Sequence, residues 1–391
     1  MTQRGYLWQR DWTQSVAEAF KEAESRVDMV VILGGEIVWE GATPRLIKSS
    51  IRWDVVAQTT KPIALALRIA PYGGPFASDD ASARFIAATA NSLLADATGH
   101  GCKVAEFQLD FDCAQKKLAG YRAWLTTLRS TLHPARLSIT ALPSWLEEGE
   151  FAALLGAVDD YVLQVHSVPA HGSDPQATLC DAPLARRATE KAAQLRRRFS
   201  VALPTYRCLG GYDAEGKLLG VAMDGVQPSW PRGTRVLEFG SDATELARLI
   251  ADWKQNRPAV MQGVVWYRLP MDSDLRNWRW PTLRAVMDGR EPTHRLDVGT
   301  AGENPVDLEL INRGEAEERF TGSVTAHWNG AALTAADSVA GWTLRTTQDS
   351  AIFTAETGQA LRLLPGERRG IGWLRYDRRA QPELVLDPSP R

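Results

Sequence analysis

Along the first 290 or so residues, short and nearly continuous apolar runs alternate with longer stretches whose apolar positions recur at helical spacing. The apolar runs predict strands over Tyr6 to Gln9, Asp28 to Gly34, Pro62 to Ile69, Val104 to Cys113, Arg136 to Leu142, Asp160 to His166, Ser200 to Tyr206 and Gly263 to Leu269. Helices are expected between them, over Thr13 to Arg26, Asp79 to Ala97, Lys116 to Leu132, Glu147 to Ala157, Leu184 to Arg198, Thr244 to Gln255 and Trp280 to Asp288. Thr13 suits the N-cap of the first helix, and Asp79 or Asp80 lies near the start of the second. The pair Gly34-Gly35 reads as the end of the second strand, and Arg45 to Gln58 as a short helix with an irregular piece. Residues 209–235 are rich in Gly and Pro and read as an inserted hairpin or lid.

Strands that are apolar on both faces belong in a parallel sheet covered on both sides. Eight strand–helix units in this length predict an α/β fold, a (β/α)8 TIM barrel. A doubly wound open sheet is the alternative, although no GxGxxG loop follows the first strand. After Pro292 the helical spacing stops. Short alternating runs follow at His294 to Val298, Val306 to Asn312, Ser323 to Trp328, Trp342 to Thr346, Ala351 to Thr354, Ala360 to Leu364 and Gly370 to Arg375. These predict a small all-β sandwich. The expected division is a barrel over residues 1–291 and a β-sandwich over residues 292–391.

One strand departs from the apolar pattern. In Val104 to Cys113 the odd positions hold Phe107, Leu109, Phe111 and Cys113, while Glu106, Gln108, Asp110 and Asp112 share the other face. Unpaired charge in a strand interior costs several kcal/mol, so this row must either meet protein partners or open onto a wet cavity. In a barrel, the lower members Glu106 and Gln108 fall in the interior and need protein partners. The upper members Asp110 and Asp112 come out at the mouth.

Composition narrows the function classes. The formal net charge of −2 and the lack of dense Lys/Arg clusters argue against a nucleic-acid partner. No apolar run reaches the length of a membrane span. The chain opens almost directly on a strand without a signal peptide, which suggests the cytoplasm as it stands and export if a leading segment has been removed. The four cysteines form no CxxC pair and no zinc spacing, so neither metal nor cofactor is expected. Tryptophan stands out, with 14 residues against roughly five for average usage. That excess suggests aromatic walls in a cleft.

Active sites of such barrels lie at the C-terminal ends of the strands. Those ends carry Arg10, Glu36, Arg68, Asp110 with Asp112, Trp145, Gln164 with His166, Tyr206, and Trp266 with Tyr267. Two carboxylates among aromatic, amide and imidazole groups suit a saccharide site. Glycosidic cleavage needs a protonated acid beside a carboxylate that stays ionised, or an assisting group on the substrate. Asp110 and Asp112 lie roughly 6–7 Å apart at Cα by strand rise, close enough to push one pKa upward. Asp112 is the candidate general acid, and Asp110 tunes it or serves as the second carboxylate. Arg10, Gln164, His166, Tyr206 and Tyr267 are candidate substrate-binding residues, with Trp145 and Trp266 as stacking platforms. Each has a plainer reading: Asp112 capping a helix or pairing with Arg10 or Arg207, Asp110 in an ion pair bracing the barrel, His166 simply hydrogen-bonded, and the tryptophans in the core.

The acidic strand resembles the chitinase-like family 18 signature, in which an Asp-x-Asp-x-Glu row climbs the fourth strand and the final Glu is the acid. Aligned Asp on Asp, the acid's place falls on Ala114; shifted one step, Gln108, Asp110 and Asp112 occupy the row and Asp112 takes it. A fuller resemblance is carried by Tyr6 to Trp12, Gln108 to Asp112, Ala141 to Trp145, Leu163 to His166 and Gly370 to Arg375. These are similar to the domain of unknown function 3142 family, which is grouped with glycoside-hydrolase-like barrels. The resemblance implies the barrel and a carbohydrate or glycan ligand. Three functions follow as expectations: a glycosidic hydrolase, a glycan-binding barrel that has lost the acid, or a scaffold whose acidic strand is an internal ion-pair network. Oligomeric state is not encoded in any of these features.

Overall fold

The computed structural model describes all residues except 78–79, 173–176, 224–228, 357–360 and 389–391. The chain divides into two compact units, Met1–Asn277 and Trp278–Arg391.

The strands of the first unit are β1 (Thr2–Leu7), β2 (Met29–Glu40), β3 (Thr43–Lys48), β4 (Ile63–Ile69), β5 (Val104–Phe111), β6 (Arg136–Ala141), β7 (Asp160–Gln164), β8 (Phe199–Pro204), β9 (Cys208–Tyr212), β10 (Leu218–Ala222), β11 (Arg235–Phe239) and β12 (Met261–Tyr267). Eight of them pair in the order β1-β12-β8-β7-β6-β5-β4-β2, and β1 pairs again with β2, so the sheet closes into a barrel. Every pairing around the ring is parallel. All eight expected strands are there.

The helices are α1 (Gln14–Glu24), α2 (Trp53–Val56), α3 (Ala81–Gly99), α4 (Leu118–Arg129), α5 (Gly149–Leu154), α6 (Ala182–Gln194) and α7 (Ala243–Asn256). They form where the apolar stripe predicts: α7, for example, buries Leu246, Ala247, Leu249, Ile250 and Trp253, residues three and four apart on one face. Asp80 caps α3 by accepting a hydrogen bond from the Ala83 N–H at 2.6 Å; Asp79, the other expected candidate, lies outside the described residues. Thr13 occupies the N-cap position of α1 without a side-chain capping bond.

Two local expectations are corrected. The Gly34-Gly35 pair does not end its strand. β2 runs on to Glu40 and folds back as an antiparallel hairpin with β3, which takes the start of the Arg45 to Gln58 segment; the short helix expected in that segment is there as α2. Gly35 allows that close return, since a Cβ there would meet the Ile47 carbonyl oxygen at 2.9 Å. The insert after β8 is a three-stranded antiparallel sheet in the order β10-β9-β11; residues 224–228 of the expected lid lie outside the described residues.

Inside the barrel, Tyr6, Val31, Ala64, Ala66, Val162, Ala202 and Val265 form one buried cluster, with Trp8 and Tyr267 packed against it. Ala64, Ala66 and Ala202 fill the lumen together with the larger Tyr6, Val31, Val162 and Val265, so no pore is left.

The second unit opens with α8 (Trp280–Met287), followed by β13 (Leu296–Ala301), β14 (Val306–Asn312), β15 (Glu318–Phe320), β16 (Gly322–His327), β17 (Leu333–Ser338), β18 (Trp342–Thr346), β19 (Ser350–Ala355), β20 (Leu361–Leu363), β21 (Arg368–Tyr376) and β22 (Glu383–Pro388). Two four-stranded antiparallel sheets, β13-β14-β21-β17 and β18-β19-β16-β22, and a β15-β20 pair enclose a core built on Leu308, Phe320, Trp328, Trp342, Phe353 and Ile371. Strands β17 and β22 and the short β15 were not expected, and Ala360 of the expected sixth run lies outside the described residues. The helix Trp280–Met287, expected to close the barrel, groups with this unit. Thr282 donates to the Glu315 carbonyl at 2.5 Å, and Arg290 pairs with the Glu315 carboxylate.

Candidate active site

The acidic row of β5 divides as its depth requires. At the bottom, Glu106 is buried and accepts hydrogen bonds from Arg4 at 2.6 Å and the Ser138 hydroxyl at 2.6 Å. One step up, Gln108 is fully buried; Tyr6 Oη donates to its Oε1 at 2.6 Å, and its own amide reaches Ser138 at 3.3 Å. The lower half is therefore a hydrogen-bonded network built on an ion pair, although Arg4 Nε itself finds no partner among the described residues.

Higher up the matching stops. Asp110 accepts from Thr140 Oγ1 at 2.7 Å and, at 3.4 Å, from Gln164 Nε2, both neutral donors. Burial raises its pKa to about 6, the nearby Asp112 adding to the shift while Thr140 and Arg68 oppose it. Asp112 lies just past the end of β5 and is exposed. Partial desolvation pushes its pKa upward too, against Arg68; exposure at the rim keeps that push weaker than at Asp110. Among the described residues Asp112 makes no ion pair. Arg10 bonds to Glu36 instead, and Arg207 has Glu238 at 3.8 Å.

Strand register places the neighbours of this pair. Glu36 on β2 is level with Arg68 on β4, and Arg68 is level with Asp110 on β5. A cleft of about 510 Å³ opens at this end of the barrel, lined by Trp8 to Asp11, Glu36, Arg68, Tyr267 and Arg268 among others. Its aromatic lining is Trp8 and Tyr267; Tyr206, expected as a binding residue, is buried in an apolar cluster with Leu179, Cys208 and Phe239. The Tyr267 ring lies 5.4 Å from Trp8, 5.5 Å from Tyr206 and 5.7 Å from His166, the last in a stacked arrangement. His166 Nε2 is covered and has no hydrogen-bond partner among the described residues. Burial lowers the imidazole pKa to about 4, so the ring is neutral near pH 7.

The structure thus brings Asp110, Asp112, Gln164, His166, Tyr206, Tyr267 and Arg10 to one end of one barrel. It does not bring Trp145 or Trp266 there as platforms. Trp145 is fully buried among Tyr121 and Phe151, and its indole N–H donates to the Cys113 carbonyl at 3.1 Å. Trp266 is fully buried on the outer face of β12, its N–H held by Gln3 Oε1 at 2.7 Å. With no ring face open to solvent, both are packing residues. Thr140, which holds Asp110, was not singled out from sequence. The available signal was its place two residues above Ser138, on the inward face of β6.

A family model for the domain of unknown function DUF3142 matches residues 59–272, more than half of the chain. The chain belongs to the DUF3142 family. A second model, domain of unknown function DUF8456, matches residues 299–377 in the β-sandwich unit. No curated protein matches this DUF3142 chain. Among solved structures, the spore cortex-lytic enzyme SleL of Bacillus cereus is similar with a TM-score of 0.52 at 12% identity, covering 74% of each chain. SleL of Bacillus megaterium gives 0.51 at 12% identity, again with 74% of each chain covered. A family GH18 chitinase from Chromobacterium violaceum gives 0.46 at 12% identity over 96% of this chain and 88% of its own. At these identities the likeness shows the fold alone, a TIM barrel.

Among the described residues, no group of three or more His, Cys, Asp or Glu side chains is placed to hold a metal ion. The four cysteines are buried and unpaired. No described helix is long and apolar enough to cross a membrane.

Proposed function

We propose that the barrel of this DUF3142 protein binds a saccharide at its C-terminal mouth and hydrolyses a glycosidic bond, with Asp112 as proton donor and Asp110 as the neighbouring carboxylate. The observation that carries this reading is Asp110 itself. Below it the interior charge on the strand is matched by Arg4, whereas Asp110 is held by neutral donors and its pKa lies near 6. A carboxylate whose pKa is raised to about 6 still carries a proton in roughly one molecule in ten at pH 7, and beside a second one open to solvent it can share and pass that proton. In the reaction, the Asp112 carboxyl gives its proton to the glycosidic oxygen as the bond to the anomeric carbon breaks. A water adds to that carbon and returns a proton to the carboxylate pair. Asp110, the more readily protonated of the two, supplies the proton that Asp112 passes on, while Trp8 and Tyr267 supply a wall for the sugar ring and Gln164 and Arg10 reach its polar groups. Glu36, bound by Arg10, is not assigned a chemical role.

The test is release of reducing ends from spore cortex, the material named for the similar SleL enzymes, and from a panel of β-linked oligosaccharides. Asp112→Asn is expected to lower kcat by at least about a hundredfold, within the span of general acid catalysis, while the bound oligosaccharide still raises Tm. Unchanged turnover in the variant overturns the assignment of Asp112. One observation favours a second reading: with the row aligned Asp on Asp, the acid's position is Ala114. In that case the mouth binds glycans and no turnover is seen in the wild type.

A further inference from the structure

Three arginines line the cleft at the barrel mouth, and two of them are engaged. Arg10 bonds to Glu36, and Arg268 closes on Asp274 at 2.5 Å with both partners nearly buried. Arg68 differs. It sits on the inward face of β4 between Glu36 and Asp110, its side chain 38% exposed to the cleft. Among the described residues its only ion pair is a loose one, 3.8 Å from Glu36, and its side chain makes no hydrogen bond. A guanidinium carries five donors in a planar fork that fits a carboxylate with two parallel bonds.

The plain alternative makes Arg68 a counter-charge for the acidic pair. Geometry speaks against that. Where this barrel uses an arginine to neutralise an acid, the two close to hydrogen-bonding distance, as Arg4 does with Glu106 at 2.6 Å. Asp110 takes its hydrogen bonds from Thr140 and Gln164, and Glu36 takes its close contact from Arg10, so neither draws Arg68 in. Gln9 lines the same cleft, and its Oε1 is covered and has no donor among the described residues, an acceptor left over for a hydroxyl or amide N–H.

We infer that Arg68 receives a carboxylate carried by the ligand, so that the saccharide taken by this site is an acidic one, with Gln9 accepting from a neighbouring hydroxyl or amide. The inference rests on the saccharide-binding reading above and adds its substrate class. Arg10, already holding Glu36, keeps that acid from repelling the incoming carboxylate. Arg68 is thus a specificity-determining residue, distinct from the proton-transferring pair.

Binding to the full chain, measured by calorimetry at pH 7, separates this claim from hydrolysis. The probes are two matched pairs: N-acetylglucosaminyl-N-acetylmuramic acid against diacetylchitobiose, and cellobiouronic acid against cellobiose. In at least one pair the acidic member is expected to bind tenfold or more tightly. In Arg68→Gln that preference collapses to less than threefold, and Arg68→Lys, which keeps the charge but loses the fork, retains an intermediate preference. An unchanged Tm in both variants shows that the fold is intact. Equal binding within both pairs, or a preference that survives in Arg68→Gln, overturns the inference and leaves the hydrolytic reading standing if turnover is seen. Acidic preference without turnover of any oligosaccharide supports the inference and overturns the hydrolytic reading. No binding of any probe overturns both.

Discussion

Replacing Asp110 by Asn should make the protein more stable at neutral pH, and the gain should disappear in acid. In the folded chain the Asp110 pKa stands at about 6 against an ordinary 3.8. The folded state therefore binds a proton more tightly than the unfolded chain does, and wild-type stability falls as the pH rises from about 4 to about 7 through this window. A shift of about two units corresponds to about 3 kcal/mol at full ionisation, since each unit is worth about 1.4 kcal/mol. That is an upper bound, because part of the shift is repulsion from the exposed Asp112, which solvent and salt screen. A gain of about 1–3 kcal/mol above pH 7.5 is expected for Asp110→Asn. The amide keeps an oxygen for the Thr140 hydroxyl and for Gln164, so no donor is left without a partner. Urea denaturation of wild type and variant between pH 4 and 8.5 measures the difference directly. The two curves should converge near pH 4 and separate as pH rises. A variant no more stable than wild type at pH 8, or a gap independent of pH, refutes the reasoning that Asp110 is held ionised at a cost.

Two more predictions concern other parts of the barrel. Arg4→Met leaves Glu106 buried without its cation and should cost about 3–5 kcal/mol, most of it recovered in Arg4→Met/Glu106→Leu; a single variant within 1 kcal/mol of wild type in urea would falsify the network described for the barrel floor. The His166 ring should titrate by NMR near pH 4 rather than 6.5, and because its folded pKa is lowered, stability is lost as pH falls through that interval; a midpoint above 6 would show that the ring is solvated.

The barrel was legible because its strands are covered on both faces and so write themselves as unbroken apolar runs. What sequence pattern could not resolve is what a glycine pair does. Gly34-Gly35 has the composition of a strand end, yet the missing Cβ at Gly35 is what lets β3 return along β2. In the second unit, Leu333–Ser338 was missed because its LTAADS sequence is small and polar, and its half-buried strand is held by register with β21 rather than by its own hydrophobicity. The tryptophans mislead in another way. Abundance suggested cleft walls, but Trp145 and Trp266 spend their N–H groups on Cys113 and Gln3 inside the packing layer. For Trp266 the period of the strand already held the answer: it is adjacent to Tyr267, and neighbours on a strand point to opposite sides. Only one of them could face the cleft, and that one is Tyr267.

The same two-residue period explains why the acidic row is not one feature. Glu106, Gln108, Asp110 and Asp112 share a face, but the barrel closes at the bottom and opens at the top, so equal side chains meet unequal surroundings. At the floor, Arg4, Ser138 and Tyr6 arrive from other strands at the same level and supply the cation and hydroxyls that burial demands. At the mouth, the neighbours at Asp110's level are Arg68 on one side and Thr140 with Gln164 on the other, and the arginine stays back. A chain selected for stability alone would have closed Arg68 onto Asp110 as it closed Arg4 onto Glu106, or put a neutral residue at position 110. Holding a carboxylate and a guanidinium side by side without joining them leaves both with unspent capacity, one for a proton and the other for an anion. That unspent capacity, rather than the presence of acids as such, is the ground for proposing the upper half of the strand as a site.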